Sequence, residues 1–350
     1  MKLLISIIFC VHFFQANSQP TETWITKNID SLIAAKAIPG ILVGTLTNGI
    51  RHYYSSGFAD VLKEQRFDST TQFEIGSITK TFTSFIVSKI LAEKKIADTA
   101  YILSYLPDSV QNNLAIAHIQ FKQLLNHTSG LPRMPNNMGI QTKFLQPYEG
   151  YDINKLYSYL MNVIPKTDGK IDYSNLGAGL AAVLAETISG KPYDQLLKEN
   201  ITVPFGMLHT NLQADINRPI SMGYFNGQPA EYWDMQILKG AGGIKSDGID
   251  ILNYLEYLLQ HKEDNIVQDI TTKTASISLR IDIAKAWHMF NFPDKQPIYW
   301  HNGGTYGFSS FCAFNKETNS GLFIVINAFD KNIIADGMGI YIMTKILSSK

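Results

Sequence analysis

Ser77 and Lys80 stand three residues apart in the stretch Phe73-Glu74-Ile75-Gly76-Ser77-Ile78-Thr79-Lys80-Thr81-Phe82. On a helix that spacing puts both side chains on one face, one turn from each other. A serine hydroxyl is a poor nucleophile until a base removes its proton. A lysine amine becomes such a base when burial or nearby positive charge lowers its pKa. A second pair, Tyr173 and Asn175, lies in Tyr173-Ser174-Asn175, on a loop before a helix. A tyrosine whose pKa is lowered by positive charge can pass a proton between a serine oxygen and a leaving group, and an asparagine can hold a substrate amide. The third stretch is His301-Asn302-Gly303-Gly304-Thr305-Tyr306-Gly307-Phe308, a strand end entering a glycine-dense turn. Glycines there allow close approach to the strand edge, where an N–H could join the serine's own N–H in stabilising an oxyanion.

These residues need elements to hold them. Gly76 punctuates the backbone and Ser77 takes the N-cap position of a helix whose apolar residues Ile78, Phe82, Phe85, Ile86 and Ile90 recur at helical spacing. Upstream, a helix is expected over Trp24 to Ala37, ended by Pro39-Gly40. Two strand-like runs then flank Thr47-Asn48-Gly49, a strong hairpin signal. From Ser77 to about Pro204 the patterns are mainly helical, with a turn-rich segment Asn126 to Pro132 and helices over Leu156 to Val163 and Leu176 to Ile188. Strand patterns return after Met222, through Ile298 to His301, Phe308 to Phe314 and Gly321 to Ala328, before a terminal helix from about Ile333 to Leu347. The expected fold is therefore α/β of the α+β kind. An antiparallel sheet assembled from both ends of the chain is flanked by terminal helices, with a mainly helical subdomain inserted. One catalytic domain is expected over 19–350, its α/β part about 19–76 and 205–350 and its helical part about 77–204.

Several alternatives fail on context. Tyr224-Phe225-Asn226-Gly227 repeats the Tyr-x-Asn pattern but reads as a hairpin turn. Gly177-Ala178-Gly179 mimics a dinucleotide fingerprint with no strand leading into it. The eight histidines show no zinc-ligand spacing, so neither a metal nor a cofactor is expected, and His127 reads as a structural loop residue. A formal net charge of zero and the lack of any Lys/Arg run argue against a nucleic-acid partner. Met1-Lys2, the apolar run Leu3 to Phe14 and the small-residue end at Ser18 have the plan of a secretory signal peptide over residues 1–18. A run of about 12 residues is too short to span a bilayer. Cys10 follows Phe9, which does not suit a lipid anchor. The chain without its signal holds only Cys312, so no intramolecular disulfide is possible. An exported, periplasmic protein with no integral membrane segment is expected.

Taken in order, Ser77-x-x-Lys80, Tyr173-x-Asn175 and His301-x-Gly303 resemble the three motifs of the serine β-lactamase and penicillin-binding superfamily. The nearest resemblance is to the branch with class C β-lactamases, Ser-Tyr DD-carboxypeptidases and related esterases. Spacings of about 96 and 128 residues agree. Asn126 to Pro132, Pro204-Phe205-Gly206-Met207 and Gly240-Ala241-Gly242-Gly243 look like its accessory segments. The resemblance implies an acylated Ser77, acid–base work shared by Lys80 and Tyr173, and Asn175 orienting a substrate amide. His301 would stand where class C β-lactamases carry lysine, and Gly304, beyond Gly303, would offer the second oxyanion N–H. Histidine there is a feature of DD-peptidases and esterase-like members, and carries charge only part of the time near neutral pH. The implied activity is hydrolysis of an amide or ester, a β-lactam or D-Ala-D-Ala-type peptide, through an acyl-enzyme. The alternatives are a carboxylesterase on the same fold and a non-catalytic penicillin-binding or sensor protein.

Overall fold

The computed structural model describes residues 19–143, 145–166 and 169–348. The expected signal peptide, with Cys10, lies outside the described residues. Helix α1 (Gln19–Ala34) leads into the hairpin β1 (Gly40–Thr47) and β2 (Ile50–Asp60), followed by the short strands β3 (Gln65–Arg66) and β4 (Phe73–Glu74). The hairpin turns on Asn48 and Gly49, both at positive φ (51° and 82°), as the Asn-Gly signal requires. A 3₁₀ turn, Gly76–Ile78, then opens α2 (Thr79–Glu93). Next come α3 (Asp108–Gln111), α4 (Phe121–Leu125), α5 (Ile153–Leu160), α6 (Asn175–Ser189) and α7 (Tyr193–Leu197). A small hairpin, β5 (Gly223–Phe225) and β6 (Gln228–Ala230), is built on Asn226 and Gly227 and disposes of the Tyr-x-Asn decoy. The strand β7 (Lys245–Ser246), α8 (Gly248–Gln260) and α9 (Asn265–Thr271) precede the C-terminal strands. These are β8 (Ala275–Ser276), β9 (Ile281–Ile283), β10 (His288–Phe292), β11 (Lys295–Gly304), β12 (Ser309–Asn315) and β13 (Ser320–Ile326); α10 (Asn332–Ser348) closes the chain.

Nine strands form one antiparallel sheet in the order β3-β2-β1-β13-β12-β11-β10-β9-β8. Its strands come only from residues 40–66 and 275–326, so the two ends of the chain meet where β1 pairs with β13, Ile41 opposite Ile326. Side chains alternate between two cores. Ile41, Val43, Phe311, Ala313, Leu322 and Ile324 face α1 and α10, whose Trp24 and Tyr341 rings stack at 4.3 Å. Leu42, Cys312, Phe314, Phe323 and Val325 face α2, α8 and the helices beyond. Strands covered on both faces read as nearly continuous apolar runs. No helix among the described residues is long and apolar enough to cross a membrane.

Helix α2 differs from its sequence pattern in one respect. It is buried on every side, its Thr79, Thr81, Thr83 and Ser84 included. Those hydroxyls are satisfied: Thr83 Oγ1 donates to the Gly240 carbonyl at 2.7 Å and Ser84 Oγ to that of Lys285 at 2.9 Å. Close approach explains two glycines. A Cβ on Gly240 would stand 2.3 Å from that of Ala182, and one on Gly179 would meet Leu238 at 2.5 Å. The apparent nucleotide fingerprint is therefore a helix-packing surface.

Candidate active site

The 3₁₀ turn ahead of α2 sets the serine. Gly76 sits at φ +50°, and a Cβ there would lie 2.7 Å from the Gly304 nitrogen. Glycine thus lets the end of β11 press against the serine turn. Ser77 is not an N-cap, since Ile75 occupies that place and no side chain caps the turn. Ser77 is half-buried, opening into a cleft of about 350 Å³, while Lys80 is buried one turn below it.

Lys80 Nζ lies 2.9 Å from Ser77 Oγ, 2.8 Å from Asn175 Oδ1 and 2.6 Å from the Ala241 carbonyl oxygen. Burial pushes its pKa well below the ordinary lysine value, and the charge of Arg133 pushes the same way. As an ammonium it would donate to all three oxygens. As the neutral amine that burial favours, it keeps its two N–H groups on Asn175 and Ala241 and turns its lone pair to the Ser77 hydroxyl. The site can therefore hold a base ready to take the serine proton. Ala241 belongs to the tight Gly240–Gly243 passage, which explains why that passage runs so close to α2.

Tyr173 lies beneath the Lys80 amine, whose nitrogen is 4.7 Å from the ring centroid. Nearby positive charge does not lower its pKa overall. Burial raises it, and a hydrogen bond with Ser77 and the charge of Arg133 only moderate the rise. The resting phenol is protonated, so Tyr173 does not itself stand as a tyrosinate. The Asn126–Pro132 loop braces the tyrosine. His127, at φ 63°, packs its ring 4.5 Å from that of Tyr173, its Nδ1 accepts the Ser174 N–H at 3.3 Å, and its carbonyl accepts the Asp172 N–H. Ser174 caps α6, its Oγ accepting the Gly177 N–H at 2.8 Å and donating to the Pro132 carbonyl. Both polar ends of Asn175 are already engaged. Oδ1 accepts from Lys80, and Nδ2 donates to the Tyr148 hydroxyl at 3.1 Å, so in this state Asn175 positions the lysine.

His301 is fully buried, its ring 6.4 Å from Tyr173 and 5.4 Å from His288, with Nε2 lacking a partner. Burial, and then the neighbouring His288 and Lys80, hold its pKa well below the ordinary histidine value. It is a neutral imidazole and not the partly charged group expected from its type. Gly303 and Gly304 lie where β11 meets the serine turn. A Cβ on Gly303 would stand 2.1 Å from the Ile75 carbonyl oxygen, and the Gly303 carbonyl accepts from Asn332 Nδ2 at 2.8 Å. Beneath the turn, Glu74 receives the Trp233 N–H at 2.6 Å and the Thr305 hydroxyl at 2.7 Å; burial raises its pKa to about 7. Sequence reasoning missed Arg133, Tyr148, Trp233 and Glu74. Only Arg133 had a signal, following directly on the turn-rich loop at Pro132.

A second charged cluster lies apart from the cleft. His209 Nδ1 is 3.0 Å from Asp247 Oδ2 and 3.9 Å from Asp250 Oδ1. Arg218 already pairs with Asp247, and Asp250 accepts from the His209 N–H and the Thr210 hydroxyl, so the cluster ties α8 to the preceding loop.

A sheet from both chain ends, an inserted helical region and a serine–lysine turn between them define a class of fold shared with known proteins. The family described as Beta-lactamase matches residues 25–341, most of the chain, and the chain belongs to that family of hydrolases. A Beta-lactamase of Pseudomonas fluorescens is 25% identical over 280 residues, covering 77% of this chain and 75% of the relative. Penicillin-binding protein 4* of Bacillus subtilis (strain 168) is 27% identical over 308 residues, covering 77% and 64%. The class C beta lactamase from Rhodobacter sphaeroides shares the fold at a TM-score of 0.79 with 21% identity, over 92% of this chain and 98% of that structure. The beta-lactamase from Sulfitobacter sp. EE-36 does so at 0.81 with 18% identity, over 96% and 100%.

Proposed function

We propose that the chain is a serine hydrolase that forms an acyl-enzyme on Ser77. The observation that carries this reading is Lys80 Nζ at 2.9 Å from Ser77 Oγ, its two other contacts leaving a lone pair for the hydroxyl. Lys80 takes the serine proton as Oγ attacks the substrate carbonyl. The N–H groups of Ser77 and Gly304 flank the developing oxyanion. Tyr173 passes a proton on to the leaving nitrogen or oxygen, and the C–N or C–O bond breaks. Water then attacks the acyl-enzyme by the reverse route and frees Ser77. Asn175 holds Lys80 in line, and His301, Gly303 and Gly304 shape the strand edge along which the substrate lies. The reading places one catalytic domain over 19–350 behind an export signal, in the periplasm.

The relatives named for β-lactam hydrolysis and penicillin binding support a β-lactam or a D-Ala-D-Ala-type peptide as the acyl donor. The neutral His301 puts no charge where the resemblance has the lysine of class C β-lactamases and the histidine of DD-peptidases and esterase-like members, which favours peptidase-like or esterase-like turnover over fast β-lactam hydrolysis. One parallel experiment tests this: nitrocefin, a D-Ala-D-Ala peptide, a short-chain p-nitrophenyl ester and a fluorophosphonate probe. Labelling of the wild type but not of Ser77→Ala, with turnover of the peptide or ester, is expected. Rapid nitrocefin turnover would replace the peptidase reading with a β-lactamase. Equal labelling of Ser77→Ala, or no labelling of the wild type, would remove the serine hydrolase.

A further inference from the structure

Arg133, at the mouth of the cleft, is a cation that forms no ion pair among the described residues. Its guanidinium carbon lies 5.1 Å from the centroid of the Tyr173 ring, the same ring that Lys80 overlies. Its backbone is fixed, because the Arg133 carbonyl accepts the Asn175 and Leu176 N–H groups at 3.0 and 3.2 Å, the first donors of α6. Among the described residues no carboxylate lies within ion-pair distance of it. Asp330 also lines the cleft. The other basic groups beside the serine, Lys80, His127, His288 and His301, are all buried and biased towards their neutral forms. Arg133 is therefore the cleft's positive charge.

The opposite character is supplied by aromatic rings. Tyr148 meets Trp233 edge-on at 5.4 Å, Trp233 meets Tyr306 at 5.0 Å, and Tyr306 meets Phe329 at 5.6 Å. These four side chains line the same cleft as Ser77 and Arg133. An apolar wall with a few polar and charged groups, here including Arg133 and Asp330, is the usual composition of a small-molecule site. A planar guanidinium held against a ring presents a fixed fork of donors suited to a carboxylate.

We propose that Arg133 is the specificity-determining cation of this site, selecting acyl donors that carry a carboxylate together with an aryl or other apolar group. The anion sits on Arg133, the apolar part on the Tyr148–Trp233–Tyr306–Phe329 wall, and the scissile carbonyl over Ser77. This rests on the serine-hydrolase reading for its catalytic half and on the cleft alone for its binding half. The selection arises on the side of the Tyr173 loop, so the neutral histidine on β11 does not prevent recognition of an anionic substrate.

The test separates the two halves. Binding of 4-phenylbutyrate and of 4-phenylbutyramide to Ser77→Ala is measured by calorimetry, with and without Arg133→Met. The carboxylate should bind Ser77→Ala at least about tenfold more tightly than the amide, as a charge-assisted contact allows. The preference should fall within about twofold in Ser77→Ala/Arg133→Met and return in part with Arg133→Lys. It should also weaken with added salt, since Arg133 is exposed. No preference in Ser77→Ala, or an undiminished preference after Arg133→Met, overturns the proposal. In the active enzyme, the kcat/KM ratio between p-nitrophenyl hemisuccinate and its succinamate counterpart should collapse in Arg133→Met; an unchanged ratio overturns the substrate assignment. Absence of fluorophosphonate labelling in the wild type would instead remove the catalytic reading, and the calorimetric result would still decide the anion site.

Discussion

Lys80 Nζ stands 2.9 Å from Ser77 Oγ, and the other two contacts of that nitrogen are both to acceptors, Asn175 Oδ1 and the Ala241 carbonyl. A buried amine with two acceptors and one hydroxyl is best satisfied as a neutral base. Lys80→Ala is expected to lower kcat by at least about 100-fold, and Tyr173→Phe by a similar factor, the scale of lost general acid–base catalysis. Steady-state rates on the best substrate of the parallel panel check both, with circular dichroism to confirm folding. Near-normal rates in both variants would remove these residues from the mechanism.

Arg133 pushes the Lys80 pKa down, after burial. Removing a like charge makes protonation of Lys80 easier, so the active neutral amine forms at higher pH. The acidic limb of the kcat/KM profile should move to higher pH in Arg133→Met by a few tenths of a pH unit to about one unit. His301→Gln should leave that limb near its wild-type position, because the imidazole is already neutral. A limb that moves to lower pH in Arg133→Met would contradict the electrostatic reading.

Glu74 gives a stability effect with a definite sign. Burial raises its folded pKa to about 7 from 4.5, so the contribution of its protonated form is complete below pH 4.5 and is lost as pH rises through 7. Glu74→Gln keeps a neutral group in place. Its stability relative to the wild type should therefore rise between pH 4.5 and pH 7.5, by on the order of 3 kcal/mol. Urea unfolding at both pH values measures the difference. A relative stability that falls with rising pH would show that Lys245 and the Trp233 and Thr305 donors outweigh the burial of the carboxyl.

Gly303 leaves no room for a side chain, with the Ile75 carbonyl oxygen 2.1 Å and Ser310 Oγ 2.4 Å from its would-be Cβ. Gly303→Ala must push β11 away from the serine turn. A loss of about 1–3 kcal/mol is expected from the overpacking. A fall in kcat larger than that of a remote variant of equal instability should accompany it, because Gly304 moves with the strand. Thermal melts and kinetics on the same preparation check the pair, and wild-type values in both would show that the strand end can relax.

Much of this was legible in the chain. The hairpin at Asn48-Gly49 was set by local turn chemistry, and the sheet strands by apolar runs bounded by turn residues. The three motifs gave the positions of Ser77, Lys80, Tyr173, Asn175 and His301, but not their states. The burial of α2 was hidden because Thr79, Thr81, Thr83 and Ser84 look solvent-facing until their partners at Gly240 and Lys285 are placed. The neutrality of His301 depends on burial beside His288 and Lys80, far away in sequence. Asn175 looked free for a substrate because Tyr148, which takes its amide, lies on a loop without periodicity. Arg133 and Glu74 acquire meaning only from the Tyr173 ring and the Thr305 hydroxyl that the fold brings to them.

The most direct measurement is intact-protein mass spectrometry of the wild type quenched during turnover of its best substrate, followed by peptide mapping. A transient adduct with the mass of the acyl group, located on Ser77 and absent from Ser77→Ala, is the expected result. Continued hydrolysis without any adduct, or the same adduct in Ser77→Ala, would contradict an acyl-enzyme on this serine.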